Sequence, residues 1–236
     1  MNGPIDLRLG RWQDVLADVT TCDAVICDPP YSARTHEGHD SLAGDERFSD
    51  PARTNPTERQ TLDYAAWTFD DVKAFVASWS TRCGGWIVAM TSHDLIGAWE
   101  SAYTDAGLLS FAPVPIIQKR PRLVGDGPSS WAVYMMVGRP RNKTMATWGC
   151  LPGAYEAPTV KGSGIAGAKP LGLMCAIVRD YSRPGDLIVD PFCGSGTTAL
   201  AAAMEGRRCI TSEEKPEHYA IAKRRLDRGY QPCLLT

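Results

Sequence analysis

The four residues Asp28-Pro29-Pro30-Tyr31 follow an apolar run and carry groups that could recognise an amine. The residue before a proline is restricted to extended geometry, so Asp28 and Pro29 are expected to project stiffly from the end of a strand. Proline has no N–H group, which leaves the Pro29 carbonyl as an acceptor beside the Asp28 carboxylate, and Tyr31 adds a flat ring. Two acceptors beside an aromatic ring suit a planar amino group, such as the exocyclic amine of a nucleobase. The plainer interpretation is that the prolines only end a strand.

A second segment, Asp-Pro-Phe-Cys-Gly-Ser-Gly-Thr-Thr at 190–198, has the pattern of a glycine-rich turn between a strand and a helix. Gly194 and Gly196 permit a ligand to approach the backbone closely, and the start of a helix presents free N–H groups. The Gly-Lys-Ser/Thr element of a phosphate-binding loop is missing. The next predicted strand leads to Glu213 and Glu214, where nucleoside-binding α/β folds place an acid that binds ribose hydroxyls. The pattern indicates a nucleoside-type ligand, although a tight turn followed by a solvated acidic pair would also fit.

The hydrophobic pattern alternates between strands and helices along the chain. It predicts seven strands, over residues 5–9, 23–27, 86–90, 110–118, 131–137, 186–189 and 208–212. It predicts helices over residues 11–19, 70–82, 94–106, 170–182, 197–205 and 216–228. This alternation is typical of an α/β fold with a mostly parallel seven-stranded sheet and helices on both faces. Residues 1–236 are expected to form a single domain.

Composition and charge restrict the class of protein. The chain has 236 residues, of which 44% are hydrophobic and 22% charged, as in an ordinary globular domain. A net charge of −2 excludes nucleic-acid binding by bulk charge, but not by a local basic patch. No apolar stretch approaches the roughly 20 residues of a membrane span, and the N-terminus lacks the pattern of a signal peptide. Eight cysteines without a CxxC pair and only four histidines favour a cytoplasmic protein with reduced thiols and no metal site.

Two segments differ from the rest of the chain and are expected to be loops. Residues 32–70 are acid-rich, with four Arg and no Lys, and are interpreted as an insertion or active-site loop. Residues 139–168 are rich in Gly, Pro and Thr. A long loop inside a compact domain is usually functional or disordered.

The two motifs, in this order, resemble the DNA amino-methyltransferases that use S-adenosylmethionine, in the permuted β-class arrangement where the DPPY motif precedes the cofactor motif. The resemblance covers nearly the whole chain. It includes the catalytic strand at 22–31, the middle of the domain at 84–86, the lysine-proline helix start at 167–171, the cofactor motif at 190–198 and its end at 206–219. One departure is Gly10-Arg11, where the family commonly has Gly-Asp, which leaves open the group that contacts the cofactor's adenine.

The resemblance implies a Rossmann-like methyltransferase domain that transfers a methyl group from S-adenosyl-L-methionine to the exocyclic amine of a flipped-out base in DNA, with adenine favoured over cytosine. The four DPPY residues would be catalytic. The residues that it assigns to the cofactor site are Lys169, Pro170, Asp190, Pro191, Phe192, Gly194, Ser195, Gly196, Thr197 and Glu213. It is also compatible with a homodimer, whereas the prediction of neither a metal nor a membrane follows from the composition and the apolar pattern given above. Two alternatives stay open: an RNA or free-nucleoside methyltransferase, and an inactive cofactor-binding partner subunit.

DNA contacts are expected from loops, with 139–168 as a short target-recognition loop. The basic residues assigned to DNA are Arg34, Lys119, Arg120, Arg122, Arg139, Arg141, Lys143 and Lys161. His36 and His39 follow Tyr31 closely and could enter the space beside a flipped base. The simpler interpretation of the basic residues is a solvated face without a ligand. The shortness of 139–168 predicts a short or relaxed target sequence.

Overall fold

The computed structural model describes residues 4–35, 65–118, 131–141, 148–158 and 168–229. Nine strands lie within these residues: β1 (Ile5–Leu9), β2 (Cys22–Cys27), β3 (Cys83–Thr91), β4 (Leu109–Ser110), β5 (Val114–Gln118), β6 (Ala132–Arg139), β7 (Tyr155–Ala157), β8 (Leu187–Asp190) and β9 (Arg208–Glu213). The described α-helices are α1 (Trp12–Val15), α2 (Phe69–Ser80), α3 (Ile96–Asp105), α4 (Leu171–Tyr181), α5 (Thr197–Met204) and α6 (Pro216–Asp227). The alternation of strands and helices confirms the predicted α/β class.

All nine described strands join one sheet in the order β1-β9-β8-β2-β3-β6-β5-β7, with β4 paired to β6. β6 runs antiparallel to β3, β4 and β5, and the other pairs are parallel. The predicted seven strands become nine for two reasons. The predicted strand 110–118 is interrupted at 111–113, where Pro113 has no N–H to donate to a neighbour. Residues 155–157, expected to lie in a loop, form β7 beside β5.

Helices cover both faces of the sheet. α1, α2 and α3 pack on one face, around buried side chains that include Phe75 and Trp99. α4 and α5 pack on the other face, around Met174 and Ile177, with α6 at its margin. Because both faces are covered, the central parallel strands carry runs of buried apolar residues, as in β2 and β3.

Helix α1 ends earlier than the predicted 11–19. The guanidinium of Arg8 donates to the Val15 carbonyl (2.6 Å) and to the Asp18 carboxylate (2.5 Å). A carbonyl that a longer helix would use is therefore occupied by a side chain of β1. The other five described helices agree with the predicted ranges to within two residues at each end, with 93–95 as a 3-10 turn before α3.

At the centre of the sheet, the connections that follow two neighbouring strands lead in opposite directions. β8 and β2 are parallel neighbours, paired through Ala24 and Ile188. From β8 the chain continues through α5 to β9 on one side, and from β2 it continues through α2 to β3 on the other. Such a point leaves a crevice outside the carboxyl ends of both strands, where ligands bind in open α/β sheets. Asp190 ends β8 and Asp28 follows β2, so the two sequence motifs meet here.

The cysteines of the described residues are all free thiols. Six of these seven are buried, and Cys150 is exposed. Their burial is that of small apolar side chains in the core. Within the described part of the chain, no helix is long and apolar enough to cross a membrane.

Candidate active site

A cavity of about 620 Å³ opens where β1, β2, β8 and β9 have their carboxyl ends. It is lined by Gly10 after β1, Asp28 after β2, Pro191 after β8 and Glu213 at the end of β9. Its volume lies in the range of small-molecule and cofactor sites. The sheet therefore brings both predicted motifs to one cavity.

The Asp28 carboxylate at one end of this cavity is held by two side chains. Its Oδ1 accepts a hydrogen bond from the Tyr31 hydroxyl (2.9 Å), and its Oδ2 accepts one from the Lys169 ammonium. The same ammonium donates to the Tyr31 hydroxyl oxygen at 3.2 Å. The family resemblance assigns Lys169 to the cofactor, whereas the structure places its ammonium on Asp28.

The two prolines of the DPPY motif also line the cavity, with Pro29 buried and Pro30 half-buried. On the other side, Pro170 is the N-cap of α4, and its carbonyl accepts the Met174 N–H (3.1 Å). Pro170 is not among the lining residues. Its part is to begin the helix, which fixes the backbone of the preceding Lys169.

An aromatic wall joins the two motifs. The Trp67 N–H donates to the Tyr31 carbonyl (3.0 Å), and the Trp67 ring meets Phe192 edge to face with centroids 5.3 Å apart. Phe75 lies behind both, 5.5 Å from Trp67 and 5.7 Å from Phe192. Trp12 extends the cluster, and both tryptophans line the cavity. Trp67 lies within the segment 32–70 that was predicted as an active-site loop, but it was not named as a site residue because it belongs to no motif.

The glycine-rich turn between β8 and α5 is held against β9. The Cys193 N–H donates to the Ser212 carbonyl (2.8 Å), and the Gly194 N–H donates to the Glu213 carboxylate (2.8 Å). Gly194 and Gly196 have φ angles of +52° and +78°, which residues with a side chain rarely adopt. Gly196 is the N-cap of α5 and is not a lining residue, whereas Gly194 is.

Arg225 of α6 clamps the same turn. Its Nη1 donates to the Ser195 carbonyl (3.0 Å), the Ser195 Oγ (2.9 Å) and the Thr197 Oγ1 (2.8 Å). Ser195 and Thr197 are buried and line the cavity. Because hydrogen bonds from a charged donor are stronger than neutral ones, Arg225 fixes the start of α5. No sequence signal marks this residue, since it lies in a charged run on α6 that is typical of a solvated face.

Asp190 ends β8 at the start of the turn, is 1% exposed and is not among the residues that line the cavity. Its Oδ1 accepts the Phe192 N–H (3.1 Å). Burial raises the pKa of Asp190 to about 7, and the charges of Asp28 and Glu213 add to the rise against the hydrogen bonds from Phe192 and Thr198. This carboxyl is therefore only partly ionised near neutral pH, and a cation in the cavity would favour its ionised form.

Glu213 and Glu214 at the end of β9 both line the cavity, and Glu213 is the more buried of the two. It is buried, and it accepts the Gly194 N–H and the Lys215 N–H (3.1 Å), whereas Glu214 is exposed. Burial raises the pKa of Glu213, and those two backbone N–H groups oppose the rise. His218 lies 3.8 Å from its carboxylate. Across the residues that the structure describes, no group of His, Cys, Asp and Glu could hold a metal ion.

The predicted DNA-binding residues fall in different places. Arg34 is exposed three positions after Tyr31. Arg139 and Arg141 lie near the amino ends of the parallel strands, whereas Asp28 lies at their carboxyl ends. The reason is that β6 runs antiparallel to β3, so the end of β6 lies beside the beginning of β3. The Arg139 guanidinium lies 5.6 Å from the centroid of the Trp86 ring, which is a packing contact. The remaining members of the predicted DNA-binding set and two histidines lie outside the described residues: Lys119, Arg120, Arg122, Lys143, Lys161, His36 and His39.

Part of the chain matches a known protein family. Residues 131–224, which include Lys169, the glycine-rich turn and Glu213, match the model of the N6_N4_Mtase family, described as DNA methylase. This match confirms the predicted resemblance to DNA amino-methyltransferases for residues 131–224, whereas the DPPY residues and the permuted motif order lie outside it. The chain is 44% identical over 57 residues to the type II methyltransferase M2.MboI of Moraxella bovis, covering 24% of this chain and 21% of the relative. It is 42% identical over 59 residues to the DNA adenine methyltransferase YhdJ of Escherichia coli K12, covering 25% and 20%. The matched segments span about a fifth of these curated relatives.

Solved structures match the fold over nearly the whole chain. The structure of M1.HpyAVI in complex with SAM superposes with a TM-score of 0.65 and 19% identity, covering 94% of this chain and 100% of that one. The PvuII DNA methyltransferase, which is cytosine-N4-specific, superposes with a TM-score of 0.68 and 15% identity, covering 96% and 87%. At these identities the likeness establishes the fold alone. The predicted α/β fold, with one large sheet and helices on both faces, is thereby confirmed, and the sheet has nine described strands instead of seven.

Proposed function

We propose that this chain is an S-adenosylmethionine-dependent DNA methyltransferase that acts on the exocyclic amine of a base, with adenine as the favoured target. The observation that carries the proposal is the meeting of Asp28 and Glu213 in one cavity at the point where the chain connections diverge. The family match, the names of the relatives and a neighbour solved with SAM support the same assignment.

The Glu213 end of the cavity fits the cofactor. S-adenosylmethionine supplies a methyl group that its sulfonium charge makes electrophilic. Glu213 would accept hydrogen bonds from ribose hydroxyls, as acids at the end of this strand do in nucleoside-binding folds. Gly194 lets the backbone approach the ligand, and the partly ionised Asp190 favours positive charge above the turn.

Asp28 has the catalytic role at the other end. An exocyclic amine is a poor nucleophile, because its lone pair is delocalised into the ring. Hydrogen bonds from this amine to the Asp28 carboxylate and the Pro29 carbonyl favour a pyramidal nitrogen with a localised lone pair. Methyl transfer would form the N–C bond as the S–C bond of the cofactor breaks, which leaves S-adenosylhomocysteine and no covalent bond to the protein. The proton that the amine loses would pass to Asp28 or to water. Positioning of reactants in this way can contribute roughly 7–11 kcal/mol.

The target base must leave the duplex to reach Asp28, at a cost of roughly a few kcal/mol. Tyr31 lies half-buried beside Asp28 and offers a ring for an unstacked base. Stacking of a base on an aromatic ring contributes about 1–3 kcal/mol, which offsets much of that cost. The DPPY form of the motif and the adenine-specific name of YhdJ favour adenine, while the PvuII enzyme supports cytosine as the second candidate.

We place the DNA contacts at the same edge of the sheet as Asp28. Arg34 is exposed there. Gln118 and Trp131 are the described residues nearest in sequence to the predicted DNA-binding residues Lys119, Arg120 and Arg122. They are joined by a hydrogen bond from the Gln118 N–H to the Trp131 carbonyl (2.8 Å). β5 ends and β6 begins at this edge, and Trp131 is 52% exposed. If basic residues contact the phosphates of DNA, its binding weakens as salt rises.

Transfer of a labelled methyl group to nucleic acid tests the proposal. The purified protein is incubated with methyl-tritiated S-adenosylmethionine and either unmethylated genomic DNA or total RNA, and the products are digested to nucleosides and identified by mass. We expect N(6)-methyladenine in DNA and no label in RNA. Detection of N(4)-methylcytosine in DNA would support the DNA methyltransferase activity and show that cytosine, not adenine, is the target base. Label confined to RNA, or no transfer by protein that binds the cofactor, would overturn the proposal.

A further inference from the structure

We infer that Lys169 is a positioning residue that holds the Asp28 carboxylate until the cofactor enters the cavity, and that it thereby couples binding of the cofactor to binding of the target base. This inference rests on the proposed function. It begins from the observation that both oxygens of the Asp28 carboxylate are engaged, one by the Tyr31 hydroxyl and the other by the Lys169 ammonium. The side chains of the ion pair are 28% and 16% exposed, so water screens it only in part.

The contact between Lys169 and Asp28 conflicts with the chemistry that Asp28 performs. Asp28 has to accept a hydrogen bond from the amine, and the ammonium occupies part of the same carboxylate. During methyl transfer, positive charge moves from sulfur to the amine nitrogen. An ammonium beside that nitrogen would raise the energy of the transition state, because like charges repel at short range. The ammonium must therefore leave the position that it has in this structure before the base reacts.

The cofactor supplies the charges that would move Lys169. Its sulfonium repels a second cation in the cavity, and its carboxylate offers the ammonium a new anionic partner. The backbone of Lys169 is fixed beside the N-cap of α4, but its four-carbon stem lets the ammonium change partners while the helix stays in place. Lys169 would thus exchange Asp28 for the cofactor carboxylate. With this exchange, Lys169 would contact Asp28 in the free protein, as in this structure, and the cofactor in the bound protein, as the family resemblance implies.

The exchange has a thermodynamic consequence. Without the cofactor, the target base competes with the Lys169 ammonium for Asp28, whereas with the cofactor Asp28 is open to the amine. Coupling between two binding sites is reciprocal, so each ligand strengthens binding of the other by the same factor. We expect a factor of about ten, within the usual range of such couplings.

The test compares DNA affinity with and without an unreactive analogue of the cofactor. A fluorescent duplex carrying the site that the wild-type protein methylates is titrated with protein, alone and with saturating sinefungin, which keeps the carboxylate and has a cationic amine in place of the sulfonium. Wild-type protein is expected to bind about tenfold tighter with sinefungin. Lys169→Met is expected to bind equally with and without it, and Lys169→Arg, which keeps the charge, to retain most of the coupling. Lys223→Met is the matched control, since Lys223 is exposed and pairs with Asp227 on α6.

The outcomes separate this inference from the proposed function. Undiminished coupling in Lys169→Met, or no coupling in wild-type protein that methylates DNA, would overturn the inference and leave the proposed function standing. Failure of the wild-type protein to methylate DNA would overturn both. If Lys169→Met does not fold, Lys169→Gln removes the charge and keeps a polar group. Loss of coupling in a variant that binds sinefungin with unchanged stoichiometry supports the inference.

Discussion

Cofactor affinity is expected to rise between pH 6 and pH 8, because Asp190 changes its charge over this range. Asp190 is 1% exposed, and burial raises its pKa to about 7 in the free protein. The proposed cofactor would bring positive charge into the cavity on the other side of the glycine-rich turn, and a nearby cation favours the ionised carboxylate. Binding therefore lowers the pKa of Asp190 and releases a proton. A ligand that binds with release of a proton binds more tightly as pH rises.

The size of the effect follows from the two pKa values. A cation close to a carboxyl group lowers its pKa by roughly 1–3 units. With a free pKa of about 7 and a bound pKa lower by that amount, the apparent dissociation constant falls roughly 5- to 10-fold between pH 6 and pH 8. Above pH 8 the carboxyl is ionised in both states, and the affinity becomes independent of this group.

Calorimetric titration of S-adenosylmethionine at several pH values, in buffers that differ in ionisation enthalpy, measures both the affinity and the protons released. Asp190→Asn is the matched variant, because its amide oxygen can still accept the Phe192 N–H. The ligand and every other side chain of the site are the same in both proteins, so the difference between their pH profiles reports on Asp190. An equal pH slope in wild type and Asp190→Asn would refute the reasoning, as would a flat wild-type profile.

Three further changes test the turn, the sheet and the base end of the site. Arg225→Ala removes three hydrogen bonds from the glycine-rich turn. Because hydrogen bonds to charged groups contribute roughly 1.5–3 kcal/mol, calorimetry is expected to show that this variant binds the cofactor at least about tenfold more weakly. The control Arg224→Ala, which changes an exposed residue, is expected to bind the cofactor with wild-type affinity. Gly85→Ala would place a Cβ 2.2 Å from a main-chain oxygen of β2, so urea unfolding is expected to show a loss of more than about 2 kcal/mol in the free energy of unfolding. At Gly97 an added Cβ would have no atom within 4 Å, so Gly97→Ala is expected to gain about 0.5–1 kcal/mol in the same quantity. Tyr31→Ala is expected to weaken binding of target DNA by about 1–3 kcal/mol through loss of stacking, and Tyr31→Phe to keep most of that affinity.

Each of these comparisons has an outcome that would contradict it. Equal losses of cofactor affinity in the two arginine variants would show that general charge, not the clamp on the turn, is responsible. Wild-type stability of Gly85→Ala would contradict the close approach of β2 and β3. If Tyr31→Phe weakened DNA binding as much as Tyr31→Ala, the hydroxyl rather than the ring would account for the affinity.

The features that could be predicted from the sequence are those that depend on neighbours in the chain. Proline after Asp28 and glycine at 194 and 196 restrict the backbone locally, so the turns at both strand ends were predictable. Apolar runs with a period of two or 3.6 residues likewise predicted most strands and helices. Parallel strands place their carboxyl ends at one edge, which explains why the two motifs meet.

Other features depend on which residues meet through the fold. The periodicity of 131–137 predicts a strand but not its direction, and the antiparallel course of β6 places Arg139 and Arg141 away from Asp28. Strand β7 pairs with β5, a partner about 40 residues earlier that no local pattern indicates. The contact of Lys169 with Asp28 joins residues far apart in the chain, so no local pattern could indicate it.

The central claim is that Asp28 activates the amine and does not hold the cofactor. Single-turnover methyl transfer to DNA and calorimetric binding of S-adenosylmethionine, measured on the same preparation of Asp28→Ala, test it most directly. We predict transfer slower by roughly 10²- to 10⁴-fold, the usual contribution of a positioned acid or base, with cofactor affinity within about threefold of wild type, a difference below 1 kcal/mol. Transfer at the wild-type rate by a folded Asp28→Ala protein would contradict the account.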